Sequence, residues 1–541
     1  MAGGLPSRQP LLPPATIKTT QPRPLQKDHQ MTAFDTHAPL LPEILSLHGK
    51  WKGNKPALIC GGETISWAEF DRATNQIANG LLAKGIGKGH TVGVLMNNSR
   101  EMVETLIGVM KSGACSVPLN TSVSNDAIAA MLKDAAVSAL FLTSDHRTRV
   151  SDFLARNTNL LSVVDNELGL FKKQESAAFP NARITADDPL NIIYSSGTTG
   201  APKGIVQTHG GRRDWAYDLS IALRYTSASR TLFTIGLYSN ISWVGMLCTL
   251  LAGGTMVVQP SFDAKNALMA IQEQHITNFA MVPIQLQRLL EVPGSDTFDL
   301  SSVHAVMSCG SPLFEDLKEK LFHRLGNTTV IELFGLTEGI ITTLDPEEAA
   351  GRMASVGKPL IGTDIKIIGD DDLEVAPGQA GEIVGIGRIV MPAYLNRPGA
   401  TAEATWQGPD GRAWLRTGDI GQLDEDGYLY VVDRKKDMIL SGGQNIYPQD
   451  IEAVLVTHPD VNEVAVIGVP SKKWGETPIA VVVLEQGSTP ENEAIADWTN
   501  TRVGKQQRLA GIIFEESLPR NPNGKILKRE LRHKYKDWEN G

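Results

Sequence analysis

Four cysteines in 541 residues, Cys60, Cys115, Cys248 and Cys309, are too few and too far apart to frame a secreted disulfide scaffold or a structural zinc site. They fit free thiols in a reducing compartment, and the cytoplasm is the expected location. A basic excess is missing too. The formal net charge is −9 at pH 7, which argues against general nucleic-acid binding and requires any phosphate site to be local. The stretch 231–262 carries no charge, yet it is not a membrane span: Ser239, Asn240, Ser242, Gly253 and Gly254 divide it into a strand, a helix and a strand of a buried core. Residues 1–30 have no acidic residue before Asp28 and no apolar segment of signal-peptide type. Their proline, glutamine and threonine content predicts a disordered tail, with Met31 as an alternative start or, less in keeping with the composition, a poor organelle-targeting segment. No internal repeat or low-complexity tract is visible.

What is present is the composition of a soluble globular protein, 42% hydrophobic and 21% charged, in a chain long enough for several domains or subdomains. Between about residues 55 and 340 short apolar runs alternate with amphipathic segments. Residues 91–96, 101–110 and 116–119 read as strand, helix and strand, the rhythm of a parallel, doubly wound sheet. Residues 356–432 shift to short strand-like pieces, such as 364–368, separated by Asp, Gly and Pro turns. From Arg434 onward a helix at 448–456 and strands at 463–469 and 479–484 suggest a small α+β domain. The expected fold is therefore α/β: an N-terminal domain over 31–433, its β-rich, barrel-like subdomain at 356–432, and a hinged C-terminal domain over 434–541.

The most informative segment is Tyr194-Ser195-Ser196-Gly197-Thr198-Thr199-Gly200-Ala201-Pro202-Lys203-Gly204, which follows the apolar strand-like run 191–194. Glycines let backbone N–H groups approach phosphate oxygens, the hydroxyls of Ser195, Ser196, Thr198 and Thr199 add donors, and Lys203 adds charge. It is not a Walker A loop, because Pro202 precedes the lysine and Gly204 rather than Ser or Thr follows it. Composition alone would favour an ordinary surface turn.

Further motifs follow in order. They are Leu333-Phe334-Gly335-Leu336-Thr337-Glu338-Gly339, then Arg416-Thr417-Gly418-Asp419, then Asp433-Arg434-Lys435-Lys436-Asp437 with Ser441-Gly442-Gly443, and finally Pro519-Arg520-Asn521-Pro522-Asn523-Gly524-Lys525-Ile526. Together with the glycine loop these resemble the signature motifs of the adenylate-forming superfamily, in its acyl- and aryl-CoA synthetase branch, and the resemblance covers nearly all of 36–541. It implies ATP-dependent activation of a carboxylic acid to an acyl-adenylate, then transfer to CoA.

The resemblance also implies roles. The glycine loop, with Gly197, Gly200 and Lys203, would hold the β- and γ-phosphates, and Thr337 and Glu338 the α-phosphate and Mg²⁺. Phe334, which replaces a commoner tyrosine, would stack on adenine beside Gly335 and Gly310-Ser311-Pro312. Asp419 would accept both ribose hydroxyls and Arg434 would reach ribose or phosphate. Lys525 would bridge carboxylate and α-phosphate, Lys436 would be the hinge, and Gly442-Gly443 would border the CoA tunnel. Read alone, Thr337-Glu338 is equally a helix cap with an acidic first turn, and Lys528, Arg529, Arg532 and Lys536 are a solvated helix face.

For the acyl pocket the resemblance implies Tyr238, Asn240, Ser242, Trp243 and Leu333. Bulk at Trp243 and Leu333 favours a short to medium acyl or compact aryl acid, although core packing of Trp243 is an almost equal reading. Rival readings are an adenylation enzyme that hands its acyl group to a carrier protein, and a non-catalytic nucleotide-binding homologue. Residues 237–244 hold no aspartate for an amino group, and no carrier segment follows Lys525. The expected partners are the acid, ATP and CoA, with a homodimer as the conceivable assembly and neither nucleic acid nor a transmembrane segment.

Overall fold

The computed structural model describes residues 38–538 apart from 174, 196–201, 327–328, 442–443, 472, 506 and 521–523. Residues Leu40–Gly541 form one compact unit. The tail expected at 1–30 lies outside the described residues, as do Ser196, Gly197, Thr198, Thr199, Gly200, Gly442 and Gly443.

Two sheets make the bulk of the unit. One has six strands in the order Leu161–Val164, Ala139–Leu142, Thr91–Leu95, Cys115–Pro118, Pro189–Ser195, Lys203–Thr208. Its pairs are parallel except the last, an antiparallel hairpin that sets Ser195 opposite Lys203. The other has nine strands, with a parallel centre from Pro56–Cys60 through Thr255–Val258, Arg230–Phe233, Asn278–Met281 and Ala305–Ser308 to Val330–Gly335. Antiparallel strands close both of its edges. Central strands such as Cys115–Pro118, Thr255–Val258 and Ala305–Ser308 are buried at every position, as expected where helices cover both faces. The alternating rhythm read between residues 55 and 340 is thus the doubly wound architecture.

The uncharged stretch divides as expected, into strand Arg230–Phe233, helix Asn240–Ala252 and strand Thr255–Val258. That helix is apolar almost all round because it lies in the core. It stops at Gly253, whose φ of 72° suits a residue without Cβ. Among the described residues no helix is long and apolar enough to cross a membrane. Residues 363–434 form a five-stranded antiparallel sheet, and the chain then builds a further sheet from Ile439–Ser441, Gln444–Ile446, Val461–Ser471, Gly475–Leu484 and Ile512–Phe514.

Strand Val330–Gly335 matters most for the site, and a buried ion pair fixes it. Glu332 meets Lys318 of helix Glu315–Leu325 at 2.5 Å, and its Oε1 also accepts the Leu313 N–H at 3.3 Å. The strand, the helix and the turn after Ala305–Ser308 are thereby tied at one carboxylate. Removing one partner of such a pair leaves an uncompensated buried charge. Lys318→Met should therefore lower stability by about 3–5 kcal/mol in equilibrium urea unfolding, and Lys318→Met/Glu332→Leu should regain most of it. A double variant as unstable as the single one would assign the loss to packing instead.

Candidate active site

The glycine loop joins the two strands of a hairpin, so its ends are fixed even though 196–201 are not described. Ser195 closes the first strand and Lys203 opens the second. The Lys203 ammonium lies 5.2 Å from the centre of the Tyr394 ring, a cation–π arrangement. Tyr394 in turn donates its hydroxyl to Glu338 Oε1 at 2.8 Å.

Thr337 and Glu338 occupy a tight turn between the antiparallel strands Val330–Gly335 and Ile341–Leu344, not a helix start, so the helix-cap alternative falls. Two contacts pin this turn. Gln207 Nε2 donates to the Thr337 carbonyl at 2.8 Å, and the Met391 N–H donates to the Glu338 carbonyl at 2.7 Å. Gly339 permits this approach. Its φ is 114°, and a Cβ there would stand 2.1 Å from the Ile389 carbonyl oxygen. Burial pushes the Glu338 carboxyl above the usual range, while the Tyr394 hydrogen bond and the more distant Arg434 charge pull it back. Phe334 is partly buried and Gly335 exposed at the end of the same strand. Gly310, with φ of 90°, and Pro312 are exposed beyond strand Ala305–Ser308, with Ser311 partly covered between them.

A second cluster forms where the third sheet ends. Asp419 and Arg434 are register partners on antiparallel strands, and Arg434 Nε stands 3.3 Å from Asp419 Oδ1. Only 4% of Asp419 is exposed, so burial raises its carboxyl, and Arg434, Lys525 and Lys436 draw it down. Lys525 is pushed down to about 7, first by burial and then by the Arg434 charge. Lys436 lies at the surface of the cluster and is lowered by the same two causes. The lysine turn is seated against the larger body. A Cβ on Gly524 would lie 3.0 Å from Val282 Cγ2, and one on Gly310 would lie 3.2 Å from Val282 Cγ1. Val282 therefore brings the terminal motif and the 310–312 turn to one place. Arg520 holds the turn by donating to the Gly524 carbonyl at 2.6 Å while pairing with Glu463 at 2.8 Å.

The helix after the lysine corrects one expectation. Arg529 and Lys536 are exposed, but Lys528 pairs with Glu452 and Arg532 with Asp437, both at 2.7 Å. Spaced four apart, they share a face turned to Glu452 and Asp437 rather than to solvent.

The residues expected around the acid gather, but mostly as packing. Trp243 is fully buried and donates its indole N–H to the Leu237 carbonyl at 3.0 Å. Leu333 joins the same core, with Tyr238 packed against it. Ser242 donates to the Ile235 carbonyl at 3.0 Å and lines a cavity of only ≈ 10 Å³ with Ile241, Gly245 and Ala280. Asn240 opens its helix and accepts from Arg212 Nη2 at 2.8 Å. Sequence reasoning missed Tyr394, Gln207 and Arg212. The first two carry no local signal, whereas Arg212 sits on the stripe His209, Arg212, Trp215, Leu219, where helical periodicity marks a charge on a core-facing face. Among the described residues no cluster of three or more His, Cys, Asp or Glu could hold a metal unaided.

Comparison with known proteins agrees with this geometry. The family model described as AMP-binding enzyme matches residues 48–395, and that described as AMP-binding enzyme C-terminal domain matches 450–525. A feruloyl-CoA synthase from Amycolatopsis sp is 35% identical over 479 residues, covering 88% of this chain and 95% of that protein. The fatty acid–[acyl-carrier-protein] ligase ScoC of Streptomyces coeruleorubidus is 32% identical over 513 residues, with 92% and 96% covered. The solved structure of o-succinylbenzoate CoA synthetase from Bacillus subtilis with its acyl-adenylate intermediate is 30% identical, with a TM-score of 0.80 over 91% of this chain and 98% of that one.

The Tyr394 hydroxyl stabilises the charged form of Glu338, so Tyr394→Phe should raise the pH at which that carboxyl ionises. Infrared difference titration, with the band assigned through Glu338→Gln, measures this directly. An unmoved midpoint would mean that the hydrogen bond does not tune Glu338.

Proposed function

This chain belongs to the AMP-binding enzyme family, and from that membership we propose that it activates a carboxylic acid with ATP, releases pyrophosphate, and transfers the acyl group from the adenylate to the thiol of CoA. The observation that carries the reading is the Lys525 turn seated on Val282 beside Asp419, Arg434 and Lys436. Joining a carboxylate to an α-phosphate brings two anions together, and preorganised cations are what the barrier demands.

Within that reading each residue has a task. Ser195, the 196–200 loop and Lys203 cradle the β- and γ-phosphates as pyrophosphate leaves. Phe334, Gly335 and the 310–312 turn flank adenine, and Asp419, acceptor-only when ionised, takes the ribose hydroxyls. Arg434 faces ribose or phosphate, and Lys525 bridges the reacting oxygens. Mg²⁺ fits the Thr337-Glu338 turn, because a half-buried carboxylate next in sequence to a hydroxyl is a hard-oxygen donor set that substrate phosphates would complete. When bound it would neutralise phosphate charge. Residues from Arg434 onward form a mobile domain, and Lys436 is the hinge by which Lys525 leaves and Gly442-Gly443 approaches the thiol.

The filled region at Trp243 and Leu333 supports a compact acid of short to medium chain or aryl type. All four cysteines are unpaired, which suits a cytoplasmic enzyme. The likeness to ScoC keeps a carrier-protein thiol as the second reading of the acceptor.

Pyrophosphate release across a panel of acids, with CoA, with a phosphopantetheinylated carrier protein and with neither, tests the proposal. Thioester should form with CoA; thioester only on the carrier would establish the second reading, and no release with any acid would refute both. Lys525 carries its charge below about pH 7 in the free enzyme and loses it as the pH rises through that value. The specificity constant for adenylation should therefore fall on the alkaline side, and Lys525→Arg should carry the fall to higher pH. An alkaline limb unchanged in that variant would contradict the role given to Lys525.

A further inference from the structure

The helix His209–Ala222 buries one face in the core, and that face carries a cation. Arg212 is 2% exposed, yet among the described residues no carboxylate pairs with it. Its neighbours are neutral. Nε donates to Asn191 Oδ1 at 3.0 Å and Nη2 to Asn240 Oδ1 at 2.8 Å, while the guanidinium lies 4.5 Å from the Trp215 ring centre and 5.7 Å from that of Trp243. Other deeply placed cations of the protein have acids: Lys111 meets Asp71, Lys318 meets Glu332 and Lys528 meets Glu452. Burial pushes Arg212 down to about 9, so it remains charged at neutral pH.

The groups left unmatched beside it are mainly donors. Asn191 Nδ2 has no partner among the described residues, although the amide oxygen of the same side chain is engaged by Arg212. His209, one helical turn before Arg212, is fully buried with both ring nitrogens unmatched. Burial pushes its imidazole down to about 4, so at neutral pH it is uncharged and offers one N–H. A buried guanidinium whose partners are all neutral, beside an amide N–H₂ without an acceptor, is a receptor for an anion, and the planar fork of arginine matches a carboxylate. Of the partners of Arg212 on other elements, Asn191 lies on strand Pro189–Ser195 at the base of the phosphate hairpin, whereas Asn240 and Trp243 belong to the segment that follows strand Arg230–Phe233, where the acid substrate is expected, and none belongs to the Lys525 cluster.

We propose that Arg212 is a specificity-determining residue that receives a second carboxylate on the substrate, so that the preferred acids are short dicarboxylates or compact aromatic diacids. This rests on the reading of the chain as an acid-activating ligase. The carboxylate distal to the reacting one pairs with Arg212, with Asn191 as a further donor, while Trp215 and Trp243 exclude water from the pair. A site built to hydrogen-bond a group rejects the analogue that lacks it far more strongly than an apolar pocket rejects a missing methylene.

The test compares each diacid with its own monomethyl ester, which keeps size and removes one charge: succinate, glutarate, adipate and terephthalate, read by pyrophosphate release from the full chain. In the wild type the specificity constant for the best diacid should exceed that of its ester by roughly a hundredfold or more. Arg212→Met should lower the diacid about a hundredfold more than the ester, and Arg212→Lys should fall between. The wild-type comparison needs no variant, so a destabilised Arg212→Met does not blunt it. Release with esters or simple monoacids at rates equal to or above the diacids would overturn the role of Arg212 and leave the ligase reading standing. Silence with every acid would overturn both.

Discussion

Like charges held together at the edge of the protein interior are the constraint on which this structure turns. Arg434, Lys436 and Lys525 converge on Asp419, with Asp437 the next acid and already engaged by Arg532. Both lysines are lowered, first by burial and then by the charge of Arg434. Under the proposed function such a cluster is completed by anions from outside, the triphosphate of ATP together with a carboxylate. The arrangement stabilises charge that develops in the reaction rather than charge already present in the folded chain.

The cluster also has to come apart if one site is to serve two reactions. Several of its ties run within the segment from Arg434 onward, Arg520 to Glu463 and to the Gly524 carbonyl, Lys528 to Glu452 and Arg532 to Asp437, whereas Arg434 pairs with Asp419 of strand Ala413–Leu423. Gly524 meets the larger body through the methyl groups of Val282 and Ile284. Gly524 is thus held by Arg520 on its own side and faces small apolar groups on the other. That asymmetry suits an element that docks and withdraws. Asp433, next to Arg434, is pushed up to about 6 by burial and accepts the Gln449 N–H at 3.1 Å.

Much of the fold was legible because period and punctuation survive in a single sequence. The βαβ rhythm marks doubly wound sheets, and the uncharged stretch 231–262 divides where Gly253 and Gly254 say it should. The glycine-loop and Phe334–Glu338 motifs fall at the ends of strands Pro189–Ser195 and Val330–Gly335, whereas Arg416–Asp419 lies inside strand Ala413–Leu423. What was not legible depends on partners far away in sequence. Nothing local distinguishes Lys528 and Arg532 from Arg529 and Lys536; only Glu452 and Asp437, distant in sequence, do. Tyr394 matters because Lys203 and Glu338 arrive on either side of it. Trp243 looked equally like a pocket wall and a core residue, and its indole bond to Leu237 commits it to packing. Arg212 was the one miss with a signal in reach, a charge on the buried stripe of an amphipathic helix.

The central claim is that Lys525 serves adenylation alone, through a charge that must be present for the first reaction and absent from the second. The most direct measurement supplies Lys525→Ala with preformed acyl-adenylate and CoA, and compares thioester formation with pyrophosphate release from acid and ATP by the same preparation. The account predicts that pyrophosphate release falls by roughly a hundredfold or more, the loss expected for one transition-state cation, while thioester formation stays near the wild-type rate. Equal slowing of both partial reactions would contradict it.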